Sequence, residues 1–173
     1  MSEVAEVKVV ETVDALFRAH YGRLVRALTL VCNDQEVAAD AVQEAFVKAH
    51  LHWRRIQHYD DPVGSIRRVA INRLRDDHRR QNRKGIALER LAGEPPVASV
   101  EQHDFDSDTL SILSQLPRQQ RIAVALFYVD ELSIAEVAAA LKVSEGAVKS
   151  YLHQGRARLR SVVASGEEVH SDE

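Results

Sequence analysis

The stretch from Ser133 to Arg160, SIAEVAAALKVSEGAVKSYLHQGRARLR, constrains the chain more than any other, because it specifies two short helices joined by a tight turn. Ser133 followed three residues later by Glu136 is a capping box, in which each side chain satisfies a backbone N–H that a first helical turn leaves free. Past the break at Lys142-Val143, Ser144 is placed to cap a second helix. In the first helix Ile134, Val137, Ala138 and Leu141 recur at i, i+3, i+4 and i+7. In the second, Val148, Leu152, Leu159 and Val162 share one side, so each helix carries a single apolar stripe. The stripes must face each other or a third helix.

A different face of the second helix holds Lys149, His153, Arg156 and Arg160. Its first turns offer Ser144, Lys149, Ser150 and His153, donors suited to base edges in a major groove. Arg156, Arg158 and Arg160 follow where phosphates would lie. Charge alone leaves a solvated basic helix in an ordinary bundle as the alternative. Capping, turn and stripe together favour a DNA-reading helix-turn-helix.

The net charge of −3 conceals a segregation. Residues 62–85 carry eight basic groups against two acidic ones and residues 133–165 five against two, while residues 86–117 and the tail are acidic. Two basic blocks in an acidic chain are the footprint of local nucleic-acid contact. With 173 residues, 45% hydrophobic and 28% charged, there is enough chain for two small cores. The opening MSEVAEVKVVETVDAL has no uninterrupted apolar run, which predicts no signal peptide, no membrane insertion and a cytoplasmic location. The single cysteine, Cys32, permits no internal disulfide or multi-cysteine zinc site and reads as a buried thiol.

In chain order, residues 1–10 read as frayed, and the first helix spans about 12–31 with Val13, Leu16, Tyr21, Leu24, Leu28 and Val31 near one face. Asn33 and Glu36 read as a second capping box, opening a helix to about Trp53 that buries Ala38, Val42, Ala45 and Ala49. The other side of that helix runs Asp40, Glu44, Val47 and Leu51. Two readings stand for it: a docking face for a partner helix, or a wide core stripe edged by solvated acids. HWRRIQHYDD (52–61) breaks the periodicity and sets Trp53 and Tyr59 beside Arg54 and Arg55, a combination that stacks on unpaired bases while holding the backbone.

Asp61 and Pro62 then open a helix over about 62–83 that buries Ile66, Val69, Ala70 and Leu74 and presents Arg68, Asn72, Arg75, Arg79 and Arg83 as one stripe, suited to phosphate. Residues 84–106 contain the Gly93-Glu94-Pro95-Pro96 breaker and read as a linker; fully stretched, residues 86–106 reach about 70 Å at roughly 3.3 Å per residue. Helices resume at 107–115 and 118–130, the latter with Ile122, Val124, Ala125 and Phe127 apolar. The end, SGEEVHSDE, is expected to be unstructured.

An enzyme reading would start from His50, His52 and His58 with Asp60 and Asp61 as metal ligands, but His50 and His52 point apart on a helix and no second cluster completes a site. No metal, cofactor or catalytic residue is expected. A response-regulator output domain has a similar helix-turn-helix, yet it leaves residues 34–83 unexplained.

Over about residues 12–162 the chain resembles bacterial sigma factors of the sigma-70 superfamily, in particular the extracytoplasmic-function (ECF) group, which keeps only regions 2 and 4. DAVQEAFVKAH (40–50) is similar to the region 2.2 pattern, with Asp40, Gln43, Glu44 and Phe46 at family positions; PVGSIRRVAINRLRDDHRR (62–80) resembles region 2.3/2.4; residues 116–160 resemble region 4. The resemblance implies an all-α protein of two small helical domains, 12–84 (region 2) and 107–163 (region 4), tethered by an acidic linker at 85–106. It implies docking of Asp40, Gln43, Glu44 and Val47 on the clamp helices of core RNA polymerase, with region 4 touching the flap. Trp53, Arg54, Arg55, Tyr59, Arg68, Asn72, Arg75 and Arg79 would melt and read the minus-10 promoter element, and Ser144, Lys149, Ser150, His153, Gln154 and Arg156 would read the minus-35 element. An anti-sigma factor is the further expected partner. Four positions depart from the family pattern: Ser65 replaces a usual Trp, Tyr151 and Gln154 replace common arginines, and Lys142 replaces the usual turn glycine, so that position need not be left-handed. Gly155 inside the recognition helix costs roughly 1 kcal/mol relative to Ala and permits bending or close approach.

Overall fold

A computed structural model describes residues 12–89 and 105–169, and every regular element in them is a helix. The first half consists of α1 (Val13–Cys32), α2 (Gln35–Leu51), the short α3 (Trp53–Ile56) and α4 (Pro62–Glu89); the second of α5 (Ser107–Ser114), α6 (Arg118–Tyr128), α7 (Ile134–Leu141) and α8 (Glu145–Val169). Most starts are capped as polar side chains before apolar runs dictate. Thr12, Asp34, Asp61, Asp106 and Ser144 each accept a backbone N–H three residues on. Ser133 and Glu136 form the reciprocal capping box. Asn33 does not cap α2. It ends α1 instead, in the left-handed conformation its short amide side chain tolerates, with φ 59°, and the neighbouring Asp34 takes the N-cap.

In the first half α1, α2 and α4 pack around Leu16, Leu24, Leu28, Val42, Ile66, Ala70 and Leu74. The small face of α2, Ala38, Ala41, Ala45 and Ala49, lets neighbouring backbones approach. In the second half α6 lies under α7 and α8, with Ile122, Leu126, Val137, Leu141, Val148 and Leu152 buried. Each such side chain contributes roughly 1.5–3 kcal/mol by leaving water. Gly155 marks where α8 crosses α6: a Cβ there would lie 3.0 Å from Val124 Cγ2, so close approach is the use made of it.

The halves are not merely tethered. From Leu24 to Val31 every residue of α1 except Arg26 is buried, Thr29 included, whose hydroxyl donates to the Val25 carbonyl at 2.8 Å. One side meets α2 and α4, the other α5 and α6. A helix apolar all round must be covered all round. Three polar contacts cross the same boundary. Arg67 Nε on α4 donates to Asp130 Oδ2 at 2.7 Å, both groups almost fully buried; Arg23 on α1 meets Glu131 at 2.7 Å in the open; and Arg121 Nη1 donates to the Val31 carbonyl at 3.1 Å. Arg26 also stacks over Phe105, 5.5 Å from the ring centre.

Other differences from the sequence reading have local causes. The fourth helix continues to Glu89, past the expected linker start at 85, of which residues 90–104 lie outside the described residues, as do 1–11. Val69 is only half-buried, while Ile71 is buried and Arg67 is buried against Asp130 of the second half. At the other end α8 runs to Val169, so the first residues of SGEEVHSDE are helical; 170–173 lie outside the described residues. Lys142 is left-handed after all, with φ 56° and its N–H donating to the Ala138 carbonyl, because the turn between α7 and α8 requires that geometry whatever residue fills it. Lys142→Gly should therefore stabilise the protein by about 0.5–1 kcal/mol and Lys142→Val should destabilise it by at least as much, measured by urea unfolding.

Candidate nucleic-acid interface

The recognition helix α8 is held by its inner side and free on its outer one. Val148, Leu152 and Gly155 face α6 and α7, whereas Lys149, Ser150, His153, Arg156, Arg158 and Arg160 are exposed, as is the capping Ser144. Gln154 is exposed but already engaged: it accepts from Gln120 Nε2 at 2.9 Å and donates to Ser150 Oγ at 3.3 Å. Arg156 Nη1 donates to the Tyr128 hydroxyl at 3.1 Å, which sets the height of that guanidinium above the helix. Ser144 Oγ accepts from the Ala147 N–H and Ser150 Oγ from Gln154 Nε2, so in the first turns of α8 the exposed groups best placed to probe a groove are Lys149 and His153.

The second basic surface lies on α4. Asn72, Arg79 and Arg83 are exposed, and Arg68 and Arg75 half-buried. Arg75 faces Arg118 across the boundary between the halves, and burial first, then Arg75 and Arg121, holds the Arg118 guanidinium below its usual value. The His78 imidazole is lowered in the same way, by burial and then by Arg118 and Arg121. Positive charge is crowded along this seam. In the preceding loop Arg54, Arg55 and Tyr59 are exposed, but Trp53 packs half-buried on the core through the α3 turn, which limits the stacking surface its ring offers.

On α2, Asp40, Gln43, Val47 and Leu51 form one exposed face, with Val47 58% and Leu51 72% accessible; so large an aliphatic exposure on an ordered helix fits docking better than a wide core stripe. Gln43 donates to the Tyr21 hydroxyl at 3.2 Å. Glu44 is not a free acid. It accepts from Arg73 Nε at 2.6 Å and Lys48 Nζ at 2.7 Å, and these two hydrogen bonds, Lys48 first, lower its carboxyl from the ordinary 4.5. Arg73 in turn reaches Asp77. The acidic character of this face therefore rests on Asp40.

These surfaces fit known proteins. Residues 16–84 match the family model "Sigma-70 region 2" and residues 108–159 match "Sigma-70, region 4". The RNA polymerase sigma-E factor of Streptomyces coelicolor is 32% identical over 143 residues, 83% of this chain and 81% of that protein. The chain belongs to the ECF sigma factors of RNA polymerase. Its relatives include the ECF sigma factor SigM of Mycobacterium tuberculosis, 36% identical over 84% of this chain and 74% of that one. The ECF sigma factor SigE of Mycolicibacterium smegmatis is 31% identical over 92% of this chain, which spans 63% of that longer protein. In fold, this sigma factor is similar to the sigma factor RpoE solved in complex with the anti-sigma factor NepR from Bartonella quintana (TM-score 0.70, 18% identity, 86% of this chain and 94% of that one). It is similar also to CnrH in complex with the cytosolic domain of CnrY (TM-score 0.63, 23% identity, 88% of each chain).

The family acts in transcription initiation without catalysing a reaction of its own. Among the described residues no group of three or more His, Cys, Asp or Glu side chains is placed to hold a metal ion, so His50, His52, His58, Asp60 and Asp61 do not converge. No described helix is long and apolar enough to cross a membrane. Burial pushes the Cys32 thiol up to about 11, away from reactive thiolate.

Sequence reasoning missed Arg67, Asp130 and Arg73. The signal for Arg67 was its place on α4: it falls next to Ile66 and one turn before Ile71 rather than on the arginine stripe. For Glu44 the sign of pH dependence follows from its lowered value: the pairing stabilises fully above the unfolded carboxylate range and is lost as pH falls through the folded one. Glu44→Gln should cost under about 1 kcal/mol at pH 7, since the pair is half-exposed, and the difference from wild type should vanish in acid, read from urea unfolding across pH.

Proposed function

We propose that this sigma factor docks on the clamp helices of core RNA polymerase through Asp40, Gln43, Glu44 and Val47 on α2, reads and opens the minus-10 element with residues 53–79, and reads the minus-35 element with α8 while its second half touches the flap. The observation that carries the reading is a helix-turn-helix capped by Ser144 that leaves Lys149 and His153 exposed at the start of α8, with Ser144 and Ser150 on the same outer side, while its inner side is locked by Val148, Leu152 and Gly155. In that geometry helix placement is rigid and the reading side chains are unencumbered, as direct readout requires.

The two DNA surfaces divide the work chemically. Exposed Asn72 is an uncharged amide among guanidiniums on α4; an amide pairs with a base edge in two directions, whereas Arg68, Arg75 and Arg79 grip phosphate. Exposed Tyr59, Arg54 and Arg55 in the loop before α4 are suited to hold unpaired strand. On α2, exposed Val47 and Leu51 supply the apolar centre of a polymerase contact and Asp40 its charge. The similarly folded sigma factor RpoE, solved in complex with the anti-sigma factor NepR, supports an anti-sigma partner for this chain as well. The site of action is the cytoplasm, where RNA polymerase is.

Addition to purified core polymerase should confer promoter-specific initiation. With the holoenzyme, Asn72→Ala should leave core binding and duplex recruitment near wild type yet reduce strand opening roughly five- to two-hundred-fold, the equivalent of about 1–3 kcal/mol for an unpaired base edge, read by permanganate reactivity of thymines. Lys149→Ala should weaken recruitment and spare opening on a pre-melted minus-10 template. Equal loss of both steps in both variants would refute the division.

A further inference from the structure

A cavity of about 450 Å³ lies where α5, α6 and α8 come together against α1, apart from the α2 and α4 surfaces described above. Its walls are apolar: Leu30 of α1, Phe105 just before α5, Leu113 of α5, Val124 of α6 and Leu159 of α8. Ala125 also lines it and reaches no farther than its methyl group, which leaves room between the larger side chains. The volume falls within the roughly 300–1,000 Å³ of small-molecule sites, which are concave, mostly apolar and furnished with a few convergent polar groups. A hollow recessed among four helices suits a slender ligand better than it suits a partner helix, which docks along an open groove.

The charges on this lining are of one sign. Arg156 and Arg160 stand one turn apart on α8, at i and i+4, so their side chains leave the same stretch of helix. Both are exposed, and neither is paired with a carboxylate among the described residues. Arg156 donates to the neutral Tyr128 hydroxyl at 3.1 Å, and both residues line the cavity, so the contact holds that guanidinium beside it without offsetting its charge. Among the described residues no Asp or Glu lines the cavity. An apolar hollow edged by two guanidiniums and a phenol is complementary to a molecule with a long apolar body and one anionic head. A planar carboxylate matches the guanidinium fork with two parallel hydrogen bonds.

We propose that this cavity is a binding site for a medium-chain aliphatic carboxylic acid, its tail among Leu30, Phe105, Leu113 and Leu159 and its carboxylate held by Arg156 and Arg160. Affinity comes chiefly from the tail: each methylene moved from water into the cavity raises it about fourfold. Specificity comes from the head, because an uncharged head of the same size leaves both guanidiniums without a partner. The consequence for transcription rests on the reading of α8 given above. Arg156 belongs to the surface assigned to the minus-35 element, and a carboxylate seated on it and on Arg160 withdraws positive charge from the DNA phosphates, which weakens the contact and flattens its salt dependence. Occupancy of the cavity therefore lowers recruitment to the promoter and leaves the α2 and α4 surfaces untouched.

The test titrates the full-length chain with laurate below its micelle-forming concentration, beside decanoate, lauryl alcohol and dodecyl phosphate, using displacement of a fluorescent alkanoic acid. Laurate should bind saturably at one site, decanoate about ten- to twentyfold more weakly, and lauryl alcohol at least about tenfold more weakly. Arg160→Gln, a surface change, should weaken laurate about five- to tenfold. Thr109→Trp, which sets an indole into the cavity from a half-buried position, should abolish binding at unchanged helix content by circular dichroism. Laurate should reduce recruitment of wild-type holoenzyme to a promoter carrying the minus-35 element by about threefold or more, and recruitment by the Thr109→Trp holoenzyme should not respond. No saturable binding to wild type, equal binding of laurate and lauryl alcohol, tighter binding of dodecyl phosphate, or full binding by folded Arg160→Gln would overturn the site. Binding of laurate without an effect on recruitment would overturn its link to α8. If the holoenzyme is not recruited even without laurate, the sigma-factor reading and that link fail together, while the titration still decides the site.

Discussion

The second half of α1 is the constraint on which the rest of the molecule depends. Leu24, Val25, Ala27, Leu28, Leu30 and Val31 point around the whole circumference of the helix, and all are buried. No single neighbour covers such a segment. α2 and α4 take one side, which completes the first bundle, and α5 and α6 take the other, which brings the helix-turn-helix against it. Apolar area makes this boundary favourable, and the polar groups at its edge, Arg67, Asp130, Arg23 and Arg121, decide its register. Burial pushes the Asp130 carboxyl above its usual range, opposed by the charge and hydrogen bond of Arg67, so the desolvation of this pair offsets much of what its attraction contributes.

Much of each half was legible because it is written in local terms. The capping box at Ser133 and Glu136, the cap at Ser144, the Asp61-Pro62 start and the apolar spacing of α8 are short-range signals, and each is present in the fold. The errors at Asn33 and Lys142 were also local, since both turned on which residue adopts a left-handed backbone. A turn imposes φ near 60° on whatever occupies it, and for Asn33 that outweighed its capping propensity.

What stayed hidden was the pairing of distant charges. Arg67 and Asp130 are 63 residues apart, and nothing in the composition around either announces the other. The one available clue is in α1, where Val25, Ala27 and Leu30 add apolar side chains on the sides that the face of Leu24, Leu28 and Val31 leaves over. A helix with two apolar faces needs two partners. The same limit applied to the sites: exposure of Lys149, Ser150 and His153 follows from helical phase alone, but the engagement of Glu44 by Arg73 and of Gln154 by Gln120 requires the fold.

The buried boundary along α1 makes the two halves of this sigma factor one body, and the rest of the structure follows from that. The distance between spin labels at Asp14 on α1 and Ser161 on α8, both exposed, measured by pulsed electron resonance in the full-length protein, tests it. One narrow distribution within the roughly 40 Å span of a compact chain is expected. A broad distribution reaching well beyond that span would show the halves to be merely tethered and overturn it.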